Sequence, residues 1–131
     1  VALSGLGTSL FEQNRFTEAE QYFRAAAMLA PDRSQVHENL AMALEQGGRL
    51  EEAIESLRKA LSLAPHNIQV RNFLGELLTE EFRFREAEDV FRDSLAIDPK
   101  RPDTNRQLGD ALLMRQAYEE AVIYLARAVE A

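Results

Sequence analysis

The sequence predicts an all-α fold built from four antiparallel helical hairpins. Four columns of identical residues recur with a spacing of 34, and apolar residues fall at helical spacing between them. A fixed period of this kind marks repeats that bury their apolar faces only against their neighbours. The columns are Leu6, Leu40, Leu74 and Leu108; Leu10, Leu44, Leu78 and Leu112; Glu18, Glu52, Glu86 and Glu120; and Ala19, Ala53, Ala87 and Ala121.

Each unit is predicted to contain two helices joined by a tight turn. In the second unit one apolar run includes Leu40 and Leu44, and another covers residues 53–61 at the spacing of a helix face. Gly47-Gly48 lies between the two runs, where a glycine adopts the left-handed conformation that ends a helix.

Prolines mark the boundaries between units. Pro31, Pro65 and Pro99 keep the period of 34 and end the second helices, because proline lacks the amide hydrogen that a helix interior needs. The predicted array is one domain, 1–131, with repeats at about 1–33, 34–67, 68–101 and 102–131.

Several polar residues are candidates for helix caps. Thr17 and Glu20 fit a capping box that opens the second helix of the first unit. Asp32 and Asn67 follow prolines at positions suited to capping, and Pro102 suits a first helical turn.

Small and large apolar residues are expected to share the core. The alanine column allows the two helices of a hairpin to approach closely, and the leucine columns fill the remaining space. The larger residues predicted to complete this core are Phe23, Leu57, Phe91 and Leu125.

The third unit carries the residues of a known repeat. Leu74-Gly75, Leu78, Ala87, Phe91 and Pro99 follow the tetratricopeptide pattern. The whole chain therefore resembles the tetratricopeptide repeat (TPR) family, with four consecutive repeats of which the last is truncated. This resemblance implies a right-handed α-solenoid, the TPR superhelix, and a role in protein–protein interaction.

The early aromatic residue of the family is missing here. Leu3, His37, Arg71 and Asn105 occupy that position in the four units. Because polar side chains bury little apolar area, we expect weak helix packing at this position in three of the four units.

Composition excludes several classes of function. The 131 residues include no cysteine, so disulfides and thiolate metal sites are excluded. The formal net charge is -7, whereas nucleic-acid binding depends on Lys and Arg that neutralise phosphates. No apolar run reaches the roughly 18 residues of a membrane-spanning helix. We therefore expect neither nucleic-acid binding nor membrane insertion, and with no compartment signal the cytoplasm is the default localisation.

The sequence contains no recognisable catalytic motif. His37 and His66 lie in different units and outside any zinc-protease spacing, and no glycine-rich phosphate loop is present. The carboxylates are expected on wet helix faces, where nothing desolvates them as a general acid requires. We therefore predict that the protein is not an enzyme and has no catalytic, cofactor-binding or metal-binding residues.

The resemblance also implies that the first helices of successive repeats line a concave groove for a segment of a partner protein. The groove residues carried over to this chain include seven of the 22 acidic residues and one of the 15 basic residues. Like charges concentrated in a concavity attract the opposite charge, so the expected partner is a protein or peptide segment of basic or polar character. The predicted contact residues are Phe11, Glu12, Glu38, Met42, Glu45, Asn72, Phe73, Glu76, Glu80, Asp103, Arg106, Asp110, Leu113 and Met114.

The apolar members of this set are candidate anchors for binding, with packing between repeats as the alternative. Phe73 is a special case, because its counterparts Gly5, Asn39 and Gln107 show that the fold does not require an aromatic residue there. Together with Asn72 it marks a candidate hot spot.

Two other functions stay open. The chain is a self-associating scaffold that uses the exposed ends of the array, or it is the recruitment domain of a larger enzyme. Val122, Ile123 and Tyr124 favour self-association, because the corresponding triplet in every other unit contains an acidic residue. We expect this apolar face to bind a second copy, to be capped by residues outside this sequence, or to fray. Because the chain opens on Val1 without a methionine and stops at Ala131 inside the fourth unit, we expect it to be a fragment or a processed chain.

Overall fold

The computed structural model describes residues 2–130, and Val1 and Ala131 lie outside that range. Within it, eight helices form four hairpins, two in each of the compact units Val1–Pro65 and His66–Ala131. Whether the four repeats act as one array stays a prediction. The helices of the first unit are α1 Ala2–Glu12, α2 Phe16–Leu29, α3 Ser34–Gln46 and α4 Leu50–Leu63. Those of the second unit are α5 Ile68–Glu80, α6 Phe84–Ile97, α7 Pro102–Met114 and α8 Tyr118–Glu130.

Packing follows the same scheme in both units. The two helices of each hairpin pack against each other, and the second helix of the first hairpin packs on the first helix of the next. These contacts join α2 to α3 in the first unit and α6 to α7 in the second.

Each hairpin turn contains one residue in the left-handed conformation. These residues are Asn14 (φ 61), Gly48 (φ 75), Phe82 (φ 60) and Gln116 (φ 65). The residue that follows donates its amide hydrogen to a carbonyl five positions earlier, as from Arg49 to Leu44 at 2.9 Å. This pattern is a Schellman motif, which pairs the last carbonyl groups of the first helix. It confirms the break predicted at Gly47-Gly48.

Phe82 is the costliest of these turn residues. A left-handed conformation strains an L residue by roughly 1–2 kcal/mol, and the Phe82 ring is 73% exposed. Its edge-on contact with Phe84, at 5.9 Å between ring centroids, recovers part of that cost. We expect Phe82→Gly to raise the free energy of unfolding in urea by about 0.5–1 kcal/mol. The reciprocal control, Gly48→Ala, should lower it by a similar amount, and a loss of stability in Phe82→Gly would contradict the prediction.

The structure confirms two of the predicted helix starts and corrects two others. Asn67 caps α5, where its side chain accepts a hydrogen bond from the Val70 amide at 3.2 Å, and Pro102 lies in the first turn of α7. The capping box at Thr17 is wrong, because α2 already begins at Phe16 and Arg15 is its N-cap. The cap at Asp32 is also wrong, since α3 begins only after Arg33.

The small residues of the core have the predicted role of admitting a neighbouring helix. The four alanines of the column are fully buried. A Cβ atom on Gly7 would lie 2.5 Å from the Phe23 ring, and one on Gly109 would lie 2.6 Å from the Leu125 side chain. A second column of small residues, on the first helices, therefore leaves room for the large side chain of each second helix.

The expected core is incomplete at both ends of the described chain. Leu6 is 51% exposed, whereas its counterparts Leu40 and Leu108 are 7% and 0% exposed. Within residues 2–130, α1 packs on α2 and α3 and Leu6 stays exposed, so the prediction that it is a core residue is wrong. Leu10 and Leu125 are half-buried rather than buried.

Polar side chains replace the missing aromatic residue at two of the four positions. Nε2 of His37 lies 2.8 Å from the carbonyl oxygen of Pro31. Asn105 is fully buried and donates to the carbonyl of Pro99 at 3.2 Å and to that of Arg101 at 3.0 Å. The expectation of weak packing is therefore corrected at these two sites, where hydrogen bonds attach the first helix to the preceding linker.

Ion pairs join the second helices of successive hairpins within each unit. In the first unit Glu20 contacts Arg24 and Arg49, both at 2.8 Å, and Arg24 reaches Glu52 at 2.9 Å. In the second unit Arg92 pairs with Glu120 at 3.0 Å. The arginines at this repeated position therefore link neighbouring hairpins.

Candidate functional site

An acidic cleft lies between the first helices of the second unit. It has a volume of about 260 Å³ and is lined by four of the predicted contact residues. Glu76 and Glu80 lie one turn apart on α5, and Arg106 and Asp110 lie one turn apart on α7. We call this site the α5–α7 cleft, and its lining residues are Glu76, Thr79, Glu80, Phe91, Arg106, Gln107 and Asp110.

Phe91 reaches the cleft from α6 because Gly75 has no side chain. A Cβ atom on Gly75 would collide with the Phe91 ring. Across the cleft, the amide nitrogen of Gln107 donates a hydrogen bond to Oε1 of Glu76, which ties α7 to α5. The cleft thus combines an aromatic floor with carboxylate walls.

The carboxylates of the cleft repel one another, which disfavours the ionised form of Glu76. Partial burial raises the pKa of Glu76, and the nearby charges of Glu80 and Asp103 raise it further, while Arg106 opposes them. Arg106 is itself shared with Asp110, to which it lies 3.9 Å away. Crowded carboxylates of this kind gain stability from an added cation. The arrangement is therefore suited to receive a lysine or arginine side chain.

The other predicted residues of the second unit surround the cleft without lining it. Asn72 is buried and donates to Oγ1 of Thr104 at 2.7 Å, an interaction that also joins α5 to α7. Asp103 accepts from Arg101 at 2.9 Å, and Phe73 is half-buried. The last predicted residues, Leu113 and Met114, are exposed at the end of α7.

The predicted residues of the first unit are not gathered into one acidic cavity. Phe11 packs edge-on against Phe16 of its own hairpin, with ring centroids 5.0 Å apart. Glu12 is exposed, whereas Met42 and Glu45 are half-buried on α3. Burial raises the pKa of the Glu38 carboxyl.

Besides Phe91, which the sequence predicted as a core residue, two cleft residues were absent from the predicted contact residues. Gln107 follows Arg106 directly, and Thr79 precedes Glu80. Thr79 donates to the carbonyl of Gly75 at 2.9 Å. Their spacing could have revealed them, because Thr79 is three positions after Glu76 and Gln107 is three positions before Asp110. Residues three or four positions apart share a helix face.

Other kinds of site have little support in the described part of the chain. Between residues 2 and 130, no His, Asp and Glu side chains come together in threes to hold a metal ion. Over the same range, no helix has the length and apolar character needed to cross a membrane.

Comparison with known families identifies the class of protein. Tetratricopeptide repeat models match residues 4–68 and residues 78–131. The chain belongs to the tetratricopeptide repeat family, whose members are protein-interaction scaffolds. No curated protein matches the chain in sequence.

Solved structures of MamA have the same fold. A crystal structure of MamA is 20% identical and aligns with 98% of this chain and 75% of its own, with a TM-score of 0.92. A structure of MamA MSR-1 is 25% identical over 98% of this chain and 74% of its own, with a TM-score of 0.88. A structure of MamA AMB-1 is 25% identical over 98% of this chain and 70% of its own, with a TM-score of 0.87. These similarities confirm the predicted all-α solenoid fold class.

Proposed function

We propose that this chain is a non-catalytic scaffold whose first helices bind a basic, partly apolar segment of a partner protein. The α5–α7 cleft is the principal contact, and the first-unit residues Glu38, Met42 and Glu45 form a second contact on α3. No step of the proposed function requires a cofactor or a metal.

The proposal rests chiefly on the charged residues that surround the carboxylate of Glu76. Its exposed carboxylate lines the cleft together with Glu80 and Asp110, whereas Arg106 is the one cation among the lining residues and is shared with Asp110. A cationic side chain placed beside Glu76 would supply the missing opposite charge.

Charge reversal in the groove should abolish binding of a basic peptide. We expect the variant with Glu38, Glu45, Glu76 and Glu80 replaced by Lys to bind a fluorescent lysine- and leucine-rich peptide at least about tenfold more weakly, or 1.4 kcal/mol. The physical reason is that attraction at the groove becomes repulsion. Fluorescence anisotropy measures the affinity, which should also fall as salt rises, because the Debye length shrinks to about 8 Å at 0.15 M.

A matched variant separates the groove from the overall charge. Replacing Glu55, Asp89, Glu119 and Glu130 by Lys gives the same net charge, but these exposed residues lie on second helices. This control should keep most of the affinity, and a peptide with glutamate in place of lysine should bind neither the wild type nor this control. Equal affinity of both folded variants, as judged by circular dichroism, would contradict the proposed site.

A further inference from the structure

Phe82 is an exposed aromatic residue that the fold does not require. Its ring is 73% exposed, and its backbone has the left-handed conformation with φ 60. The turn residues in the same conformation in the other hairpins are Asn14, Gly48 and Gln116. Glycine and asparagine adopt this conformation readily, whereas a bulky side chain is strained by it. Strained residues concentrate at ligand-binding sites, so Phe82 is a candidate for a binding role.

Phe82 directly follows the end of the α5–α7 cleft. Its amide donates a hydrogen bond to the carbonyl oxygen of Thr79 at 3.0 Å. Thr79 and Glu80 both line the cleft. A segment that lies in the cleft and runs toward the end of α5 therefore reaches Phe82.

The position of the Phe82 ring is set by its contact with Phe84. The two rings pack edge-on, with 88° between their planes, and Phe84 is the first residue of α6. In the first hairpin, the residue that corresponds to Phe84 is Phe16, and it packs on Phe11, which corresponds to Thr79. Both turns have the same Schellman hydrogen bonds. Phe84 therefore lies beside a cleft residue, and Phe82 extends that aromatic surface into solvent.

Acidic residues precede the exposed ring. Glu80 and Glu81 come directly before it in the chain, and Glu80 is exposed. Arg83 is bound to Glu86, with 2.5 Å between its Nε atom and Oε2. Arg85, which is exposed on α6, is the one other basic residue between positions 79 and 87. The turn therefore keeps an excess of negative charge, which is complementary to a basic partner.

Of the two basic side chains, arginine fits this surface better than lysine. A planar guanidinium stacks on an aromatic face and binds a carboxylate through two parallel hydrogen bonds. The ring of Phe82 and the carboxylates of Glu80 and Glu81 supply both kinds of partner within one turn of the chain. A lysine ammonium is a compact and strongly hydrated charge, so it gains less from the ring.

We propose that Phe82, together with Glu80 and Glu81, binds an arginine side chain of the partner segment and makes the protein prefer arginine to lysine. This inference rests on the proposed function, because the arginine belongs to the segment that lies in the α5–α7 cleft. The exposed, strained ring then has opposite effects on the protein. It lowers stability and raises affinity for the partner.

Two fluorescent leucine-rich peptides, one with lysine and one with arginine at every basic position, test the proposal by fluorescence anisotropy. The wild type should bind the arginine peptide about two- to fivefold more tightly. Phe82→Leu keeps an apolar side chain but removes the ring, so it should bind both peptides about equally. Phe82→Gly should also lose the preference while it gains stability in urea. Phe82→Trp should keep the preference, because tryptophan binds cations best.

Tyr118→Leu is the matched control, because Tyr118 is another aromatic residue of the second unit and is 58% exposed. This variant should keep the preference for arginine. Equal affinity of the wild type for the two peptides, or an unchanged preference in Phe82→Leu, would overturn the inference even if charge reversal of the groove abolishes binding. A wild type that binds neither peptide would overturn the proposed function as well. Circular dichroism checks that every variant is folded.

Discussion

Gly75→Ala should lower the free energy of unfolding by about 1–3 kcal/mol, although alanine is the better helix former. The added Cβ atom collides with the Phe91 ring, which is almost fully buried. Overpacking of this kind forces helices apart or drives side chains out of their preferred rotamers. Urea unfolding followed by circular dichroism measures the loss.

The second hairpin indicates how the loss can be repaired. There Ala41 and Leu57 occupy the positions of Gly75 and Phe91, and both are fully buried. We therefore expect Phe91→Leu to recover part of the stability lost in Gly75→Ala, with a coupling energy of about 0.5–3 kcal/mol in a double-mutant cycle. Strictly additive losses would contradict this packing model.

Gly5→Ala provides the matched control for helix propensity. Gly5 also lies within a helix, but a Cβ atom there would have no neighbour within 4 Å. This substitution should raise stability by about 0.5–1 kcal/mol, because alanine loses less conformational freedom on folding. The opposite signs at Gly5 and Gly75 separate the steric effect from the propensity.

Asn105→Leu should destabilise the second unit by about 2 kcal/mol, although leucine is apolar and has the same branching and number of heavy side-chain atoms. The substitution removes both hydrogen bonds from the Asn105 side chain to the preceding linker. A typical hydrogen bond contributes about 0.5–1.5 kcal/mol, and two are lost together. The midpoint of urea unfolding reports the change.

Asn105→His tests whether the hydrogen bond or the volume matters. His37 holds the carbonyl of Pro31 at the corresponding position of the first unit. We therefore expect Asn105→His to lose less stability than Asn105→Leu, and Gln69→Leu, at an exposed position, to change stability by no more than about 0.5 kcal/mol. If the leucine variant proves as stable as the wild type, the linker contact contributes nothing.

The period of 34 was sufficient to predict the helices, because helix formation depends on local features that repeat with the sequence. Apolar spacing, Gly48 and Pro102 act within one turn of their own position, and the structure places helix boundaries accordingly. The helix caps predicted at Thr17 and Asp32 were wrong. Side chains compete for such positions, and arginine residues occupy the N-cap sites instead.

Burial was not predictable from the period, because it depends on the neighbour of each residue in space. Leu6 and Leu40 have the same position in the repeat but differ in exposure, since a preceding helix covers only the second. The roles of His37 and Asn105 were also hidden, because their partners are carbonyl groups of the preceding linker, which carry no sequence signal.

The sequence by itself determined the repeat class and which helix faces hold the acidic residues, since both follow from residue spacing. Only the tertiary structure decided which of those acids act together. Glu76 and Asp110 are far apart in the chain and become neighbours because α5 and α7 lie side by side in the second unit. Asp103 on α7 raises the pKa of Glu76 only through that approach, because charges act over a few ångströms of space rather than along the sequence, whereas Glu80 raises it from within α5.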